Sequence, residues 1–117
     1  MSYVDGFIVA VPRKNLKAYA LLSKKAGKIW REYGALDYRE WVADDVQPGK
    51  LTSFPQSVKL KAGETVVFAW ITYKSRAQRD RINARVMADP RLAMSPKTMP
   101  FDPKRMIYGG FASLVKA

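Results

Sequence analysis

Glu64-Thr65-Val66-Val67-Phe68-Ala69-Trp70-Ile71-Thr72-Tyr73-Lys74-Ser75-Arg76-Ala77-Gln78 is the stretch on which the fold turns. Side chains alternate across a strand, so Val66, Phe68 and Trp70 face one way and Val67, Ala69 and Ile71 the other. Apolar residues on both faces describe a central strand. Ala62-Gly63 supplies a turn before it. Ser75 then caps a helix, with Gln78 three residues on to complete a capping box. Ile82, Val86 and Met87 anchor that helix inward, Arg76, Arg79, Arg81 and Arg85 decorate it, and Asp89-Pro90 stops it.

Upstream, Tyr3 to Val11 is nearly continuous apolar sequence ended by Pro12, a strand buried on both faces. Asn15 or a neighbour caps a helix running to about Tyr33, with Leu16, Tyr19, Ala26, Ile29 and Trp30 on its apolar stripe and Lys14, Lys17, Lys24, Lys25, Lys28 and Arg31 on the other face. Gly34 is placed to end it. Leu36 to Asp45 reads as an edge strand, since neither of its faces is clean. Val46-Gln47-Pro48-Gly49-Lys50 is a turn. Thr52 to Lys61 is a short helical turn or an irregular segment, because Pro55 argues against a central strand.

Downstream, Arg91 to Thr98 is a loop or an extra turn. Pro100 and Pro103 stiffen the segment from Met99 that feeds a last strand, Met106 to Val115. The order is strand, helix, strand, strand, helix, strand. The expected fold is therefore α+β, a ferredoxin-like βαββαβ unit with a four-stranded antiparallel sheet and both helices on one face. The first, third and fourth strands are apolar on both sides. The helices cover one side, and a bare apolar face of that size exceeds a tolerable exposed patch. A homodimer with its two sheets packed face to face solves this.

Composition bounds the chemistry. At 117 residues the chain is one domain spanning 1–117, and 48% hydrophobic content excludes disorder. There is no cysteine, so disulfides and thiolate nucleophiles are excluded. There is no histidine, the usual base near neutral pH and the commonest metal ligand. Neither a metal nor another cofactor is expected, and no phosphate-loop, Rossmann or metalloprotease motif occurs. The first residues do not form a signal peptide and no stretch is long enough to span a membrane, so a cytoplasmic protein with no membrane partner is expected. The net charge is +11.

Tyr3-Val4-Asp5-Gly6-Phe7, Glu32-Tyr33-Gly34-Ala35-Leu36, Asp45-Val46, Gly49-Lys50, Glu64-Thr65-Val66-Val67-Phe68, Asp89-Pro90-Arg91, Met99-Pro100-Phe101-Asp102 and Lys104-Arg105-Met106-Ile107-Tyr108-Gly109-Gly110-Phe111 resemble the DUF1428 family. The match covers essentially the whole chain. The resemblance implies the dimeric α+β barrel fold and brings no reaction. Relatives tend to carry Trp at the position of Val42 and a small residue at that of Trp41, so the indole here moves to the other face of its strand.

A pocket in such a barrel lies between the sheet and its covering loops or at the dimer interface. The candidate ligand-binding residues are Asp5, Glu40, Asp45, Trp70, Asp102, Arg105 and Tyr108. Arg105 either pairs a ligand carboxylate bidentately or closes a structural salt bridge with Asp102 or Glu40. Tyr108 is either a proton donor or a core or interface tyrosine. Phe7, Trp70 and Phe111 are the expected walls. Gly109-Gly110 marks a bulge or a close backbone approach. Three functions compete. The first is a homodimer that binds, and on one version transforms, a small molecule; whether it is an enzyme is left open. The second is non-specific nucleic-acid binding through the basic helical face. The third is a structural or interaction dimer without a ligand site.

Overall fold

The computed structural model describes residues 2–93 and 96–117. Four strands, β1 (Tyr3–Pro12), β2 (Asp37–Val42), β3 (Glu64–Tyr73) and β4 (Ile107–Ala112), form one antiparallel sheet in the order β2-β3-β1-β4. With α1 (Leu16–Glu32) and α3 (Arg76–Met87) the chain has the ferredoxin-like βαββαβ plan. The short helix α2 (Phe54–Ser57) stands between β2 and β3. Asp5 of β1 pairs with Ile71 on one side and Gly110 on the other, and Phe7 pairs with Ala69 and Tyr108.

This register sorts the side chains into two layers. Odd-numbered residues of β1 and β3 meet the helices. Val9, Val11 and Val67 pack with Tyr19, while Ile71 and Tyr73 pack with Ile29, Ile82 and Val86. Even-numbered residues line the opposite face, where Ile8, Ala10 and Val66 are buried beneath Val58. The segment from Phe54 to Leu60 thus covers one end of that face. The rest is open: Trp41, Phe68 and Phe111 are 47%, 41% and 60% exposed. Trp41 stacks at an angle on Trp70, and Phe68 meets the same indole edge-on.

Several boundaries differ from the sequence reading. β2 ends at Val42, after which one further backbone bond runs from the Ala43 N–H to the Val66 carbonyl. β4 stops at Ala112, opposite the first residue of β1, with one further backbone bond of 3.4 Å from the Ser113 N–H to the Ser2 carbonyl. Asn15 stands at the start of α1, yet its side chain caps nothing and donates to the Pro100 carbonyl at 3.1 Å. Ser75 does cap α3, accepting from the Gln78 N–H, while Gln78 Oε1 accepts from the Lys74 N–H rather than from Ser75. Met87 is exposed and Arg79 is turned inward, the reverse of the expected arrangement. The span from Arg91 to Thr98 contains turns of 3₁₀ helix at Pro90–Leu92 and Pro96–Thr98. Positions 94 and 95 of that reading lie outside the described residues.

Candidate functional site

A cavity of about 780 Å³ lies between the helix-bearing sheet face, α1, α3 and the segment that follows α3. Alternation along β1 and β3 turns Phe7, Val9, Ala69 and Ile71 into it as an apolar floor. Three aromatic pairs stand around the floor: Phe7 and Tyr108 stacked at 6.1 Å, Tyr19 and Phe101 edge-on at 5.5 Å, Trp30 and Tyr38 tilted at 5.9 Å. Such a site is mostly apolar with a few placed polar groups, the usual make-up of a small-molecule pocket.

One polar group is built on Asp5, Arg79 and Asn83. Asp5 is buried, and Arg79 Nε lies 3.2 Å from its Oδ1. Arg79 donates on to the Tyr3 hydroxyl at 3.0 Å, with its guanidinium over the same ring at 5.0 Å. Burial works most strongly on the Arg79 charge and against it, but Asp5, Tyr3 and Asp80 together outweigh it, so the guanidinium is held more firmly protonated than usual. Asn83 joins three elements: Oδ1 accepts from Trp30 Nε1 at 3.1 Å and from the Tyr73 hydroxyl at 3.2 Å, and Nδ2 donates to Asp5 at 3.4 Å. Gly110 makes the arrangement fit. A Cβ there would strike the Arg79 guanidinium and the Tyr3 hydroxyl.

The second polar group is Glu40. Its carboxylate accepts from the hydroxyls of Tyr19, Ser23 and Tyr38, the last at 2.9 Å. Burial, and then the Glu40 charge, pushes the phenols of Tyr19 and Tyr38 well above the ordinary tyrosine range, so both remain donors. Glu40 takes part in no ion pair among the described residues. An open groove of about 830 Å³ runs outside, between α1 and β2, and shares Glu40 and its three donors with the cavity.

Of the residues singled out from sequence, Asp5, Glu40 and Tyr108 therefore border one cavity. The others lie elsewhere. Arg105 is turned to partners within the chain. It grips Glu64 with two bonds of 2.7 and 2.6 Å, reaches Asp102 at 3.2 Å, and donates to the Lys59 carbonyl at 3.1 Å. Glu40 has no part in that cluster. Asp102 caps the 3₁₀ turn Pro103–Arg105. Asp45 is exposed on the loop after β2. Trp70 and Phe111 sit on the opposite face of the sheet, so of the expected walls Phe7 alone lines the cavity. Arg79 and Asn83 were missed, although 79, 82, 83 and 86 follow the helical spacing that marks the inward stripe. Glu64 was missed because it opens a strand next to a turn, where a solvated acid is the ordinary reading.

Among the described residues, no group of three or more acidic, His or Cys side chains is arranged to hold a metal ion. Nor is any helix long and apolar enough to cross a membrane. The family described as "Protein of unknown function (DUF1428)" matches residues 2–103. The chain is 49% identical over 115 residues to the protein YbaA of Escherichia coli K12, covering 98% of each, and the Shigella flexneri protein of that name matches equally. Its fold is similar to a NIPSNAP domain protein from Burkholderia xenovorans, with TM-score 0.64 and 18% identity over 98% of this chain and 97% of the other. It also resembles a dimeric ferredoxin-like protein from an uncultured marine organism, with TM-score 0.56 and 11% identity over the whole of both chains. The chain belongs to the DUF1428 family.

Proposed function

We propose that the protein is a cytoplasmic homodimer of single-domain protomers, each holding a small, largely apolar molecule in the cavity between sheet and helices. The observation that carries this reading is the cavity itself: about 780 Å³, walled by aromatic side chains, with a few buried polar groups fixed at its edge. The dimer rests on the open sheet face, where Trp41, Phe68 and Phe111 would otherwise meet water. The marine protein of like fold, described as dimeric, points the same way.

A thermal-shift screen of apolar metabolite classes tests the cavity. Ligand at about a hundred times its Kd adds about 2.7 kcal/mol to the folded state, several degrees in Tm for a domain of this size. An Ala26→Phe variant, which fills the cavity from α1, is expected to keep its own Tm and lose the shift. If no class moves the wild type, the protein is a dimer without a ligand site.

A second reading is carried by charge. Lys17, Lys24, Lys25 and Lys28 on α1 and Arg76, Arg81 and Arg85 on α3 are all exposed. Such a surface binds nucleic acid weakly and with steep salt dependence. Fluorescence anisotropy with single- and double-stranded oligonucleotides tests it. Absence of binding at low salt removes it.

A further inference from the structure

Three carboxylates border the cavity of a protein whose net charge is +11. Two of them are matched by a guanidinium. Asp5 faces Arg79, and Asp89 is gripped by Arg91 through its backbone N–H at 2.8 Å and its side chain at 2.8 Å, with the Tyr33 hydroxyl adding a bond of 2.8 Å. Among the described residues Glu40 has hydroxyl donors alone. A carboxylate has about four acceptor sites, and Tyr19, Ser23 and Tyr38 occupy three. One acceptor site and the whole negative charge remain, at the edge of an apolar space.

What stands near that charge is aromatic. Tyr19 and Tyr38 touch Glu40 directly, and their rings pair with Phe101 and Trp30. Ring faces attract cations, most strongly when water is excluded. The cations of the α1 wall, Lys24, Lys28 and Arg31, line the outer groove rather than the cavity, and all three are exposed, where their charge is screened by solvent. An anionic ligand would have to approach Glu40 without a free guanidinium to meet it, since Arg79 is held by Asp5, Asp80 and Tyr3.

We propose that the cavity is selective for organic cations: an amine carried on an apolar body, with its ammonium on Glu40 and the aromatic pairs around it. This rests on the small-molecule reading of the same cavity and adds the charge of what it takes.

The test uses three probes with one body and three heads: 4-phenylbutylamine, 4-phenylbutanol and 4-phenylbutyrate. Binding to the full-length protein is measured by calorimetry at pH 7. The amine is expected to bind at least tenfold more tightly than the alcohol, and the alcohol more tightly than the acid. Glu40→Gln is expected to erase the amine's advantage while the alcohol binds as before. Ser23→Ala, which frees an acceptor site on Glu40 without removing its charge, is expected to retain the preference and guards against a misfolded Gln variant. If the alcohol binds and the amine binds no better, the cation assignment is overturned and the cavity reading stands. If none of the three binds, both are overturned.

Discussion

Gly110 acts through the atom it lacks. Its place opposite Asp5 lets the Arg79 guanidinium and the Tyr3 hydroxyl occupy the space a Cβ would fill. Arg79 cannot simply swing aside, because Asp5, Asp80 and Tyr3 all hold it. Gly110→Ala is expected to cost about 1–3 kcal/mol, the usual range for overpacking. Gly109→Ala, whose Cβ would meet only Phe111 Cε1 at 3.8 Å, is expected to change stability by about 0.5 kcal/mol or less. Urea titrations of the two variants side by side check this. Arg105 gives a second residue-scale outcome. Its bonds hold the Glu64 carboxyl below the usual carboxylate range, against an opposing effect of burial. A carboxylate so held stabilises the fold above its unfolded pKa, about 4.3, and that contribution is lost as pH falls through the folded value. Thermal melts from pH 7 to pH 2 should therefore show Tm falling below about pH 4. Glu64→Gln should start lower at pH 7 and fall less steeply. Arg105→Ala strands a buried carboxylate and is expected to lose about 3 kcal/mol, though its distance from the cavity should leave ligand binding in the folded fraction unchanged.

At the scale of elements, one contact between β2 and α1 is Gly27 beneath the Tyr38 ring. A Cβ on Gly27 would lie 2.6 Å from Tyr38 Cδ1 and 3.1 Å from Cγ, at the stiff base of the ring. Gly→Ala within a helix normally stabilises by about 1 kcal/mol. Here the clash, about 1–3 kcal/mol, is expected to reverse the sign. In a Tyr38→Leu background the same change should recover its ordinary stabilising effect, and a double-mutant cycle measured by urea denaturation reads the coupling directly. Gly27 also shows where pattern reading of elements stops. Strand phasing was legible, since β1 and β3 alternate without interruption and a shift of one residue would exchange their faces. The helix stops at Gly34 and Asp89 were legible for the same local reason. α3 was harder. Ile82 and Val86 are its only buried apolar residues, and Arg79 and Asn83 complete its inward stripe with polar contacts. An arginine on an otherwise basic helix reads as surface until the strand opposite it is known to carry Asp5 and Gly110.

The whole molecule was legible as a plan and illegible as a site. Element order and two-faced strands lead to the ferredoxin-like sheet with its helices on one side. The cavity needs distances between elements far apart in sequence: Glu40 meets Ser23 and Tyr19 across 17 and 21 positions, and Asp5 meets Asn83 across 78. Periodicity within one segment carries no such information. Arg105 drew attention because it is conspicuous beside Lys104 and Tyr108, yet its partner is set by where β3 begins. The open sheet face is the feature that belongs to the molecule as a whole. Val58 and Leu60 cover one end of it through the segment around α2, and Phe54 tilts against Phe68, leaving Trp41, Phe68, Ile107 and Phe111 partly exposed on the same face. Trp41 enlarges this surface, since the neighbouring Val42 projects to the helix side of β2. If two such faces close on each other, the wild type should run at twice the protomer mass in light scattering at micromolar concentration. Phe68 lies in central β3, partly exposed and in ring contact with Phe54 and Trp70, so Phe68→Lys places an ammonium in the middle of the proposed interface, and a urea titration of the variant reads its separate cost to the protomer fold. That variant is expected to weaken self-association at least a hundredfold and to elute as a monomer. Arg81→Glu, on the helical side, is expected to leave the mass unchanged. A wild type that remains monomeric across the micromolar range would overturn the dimer.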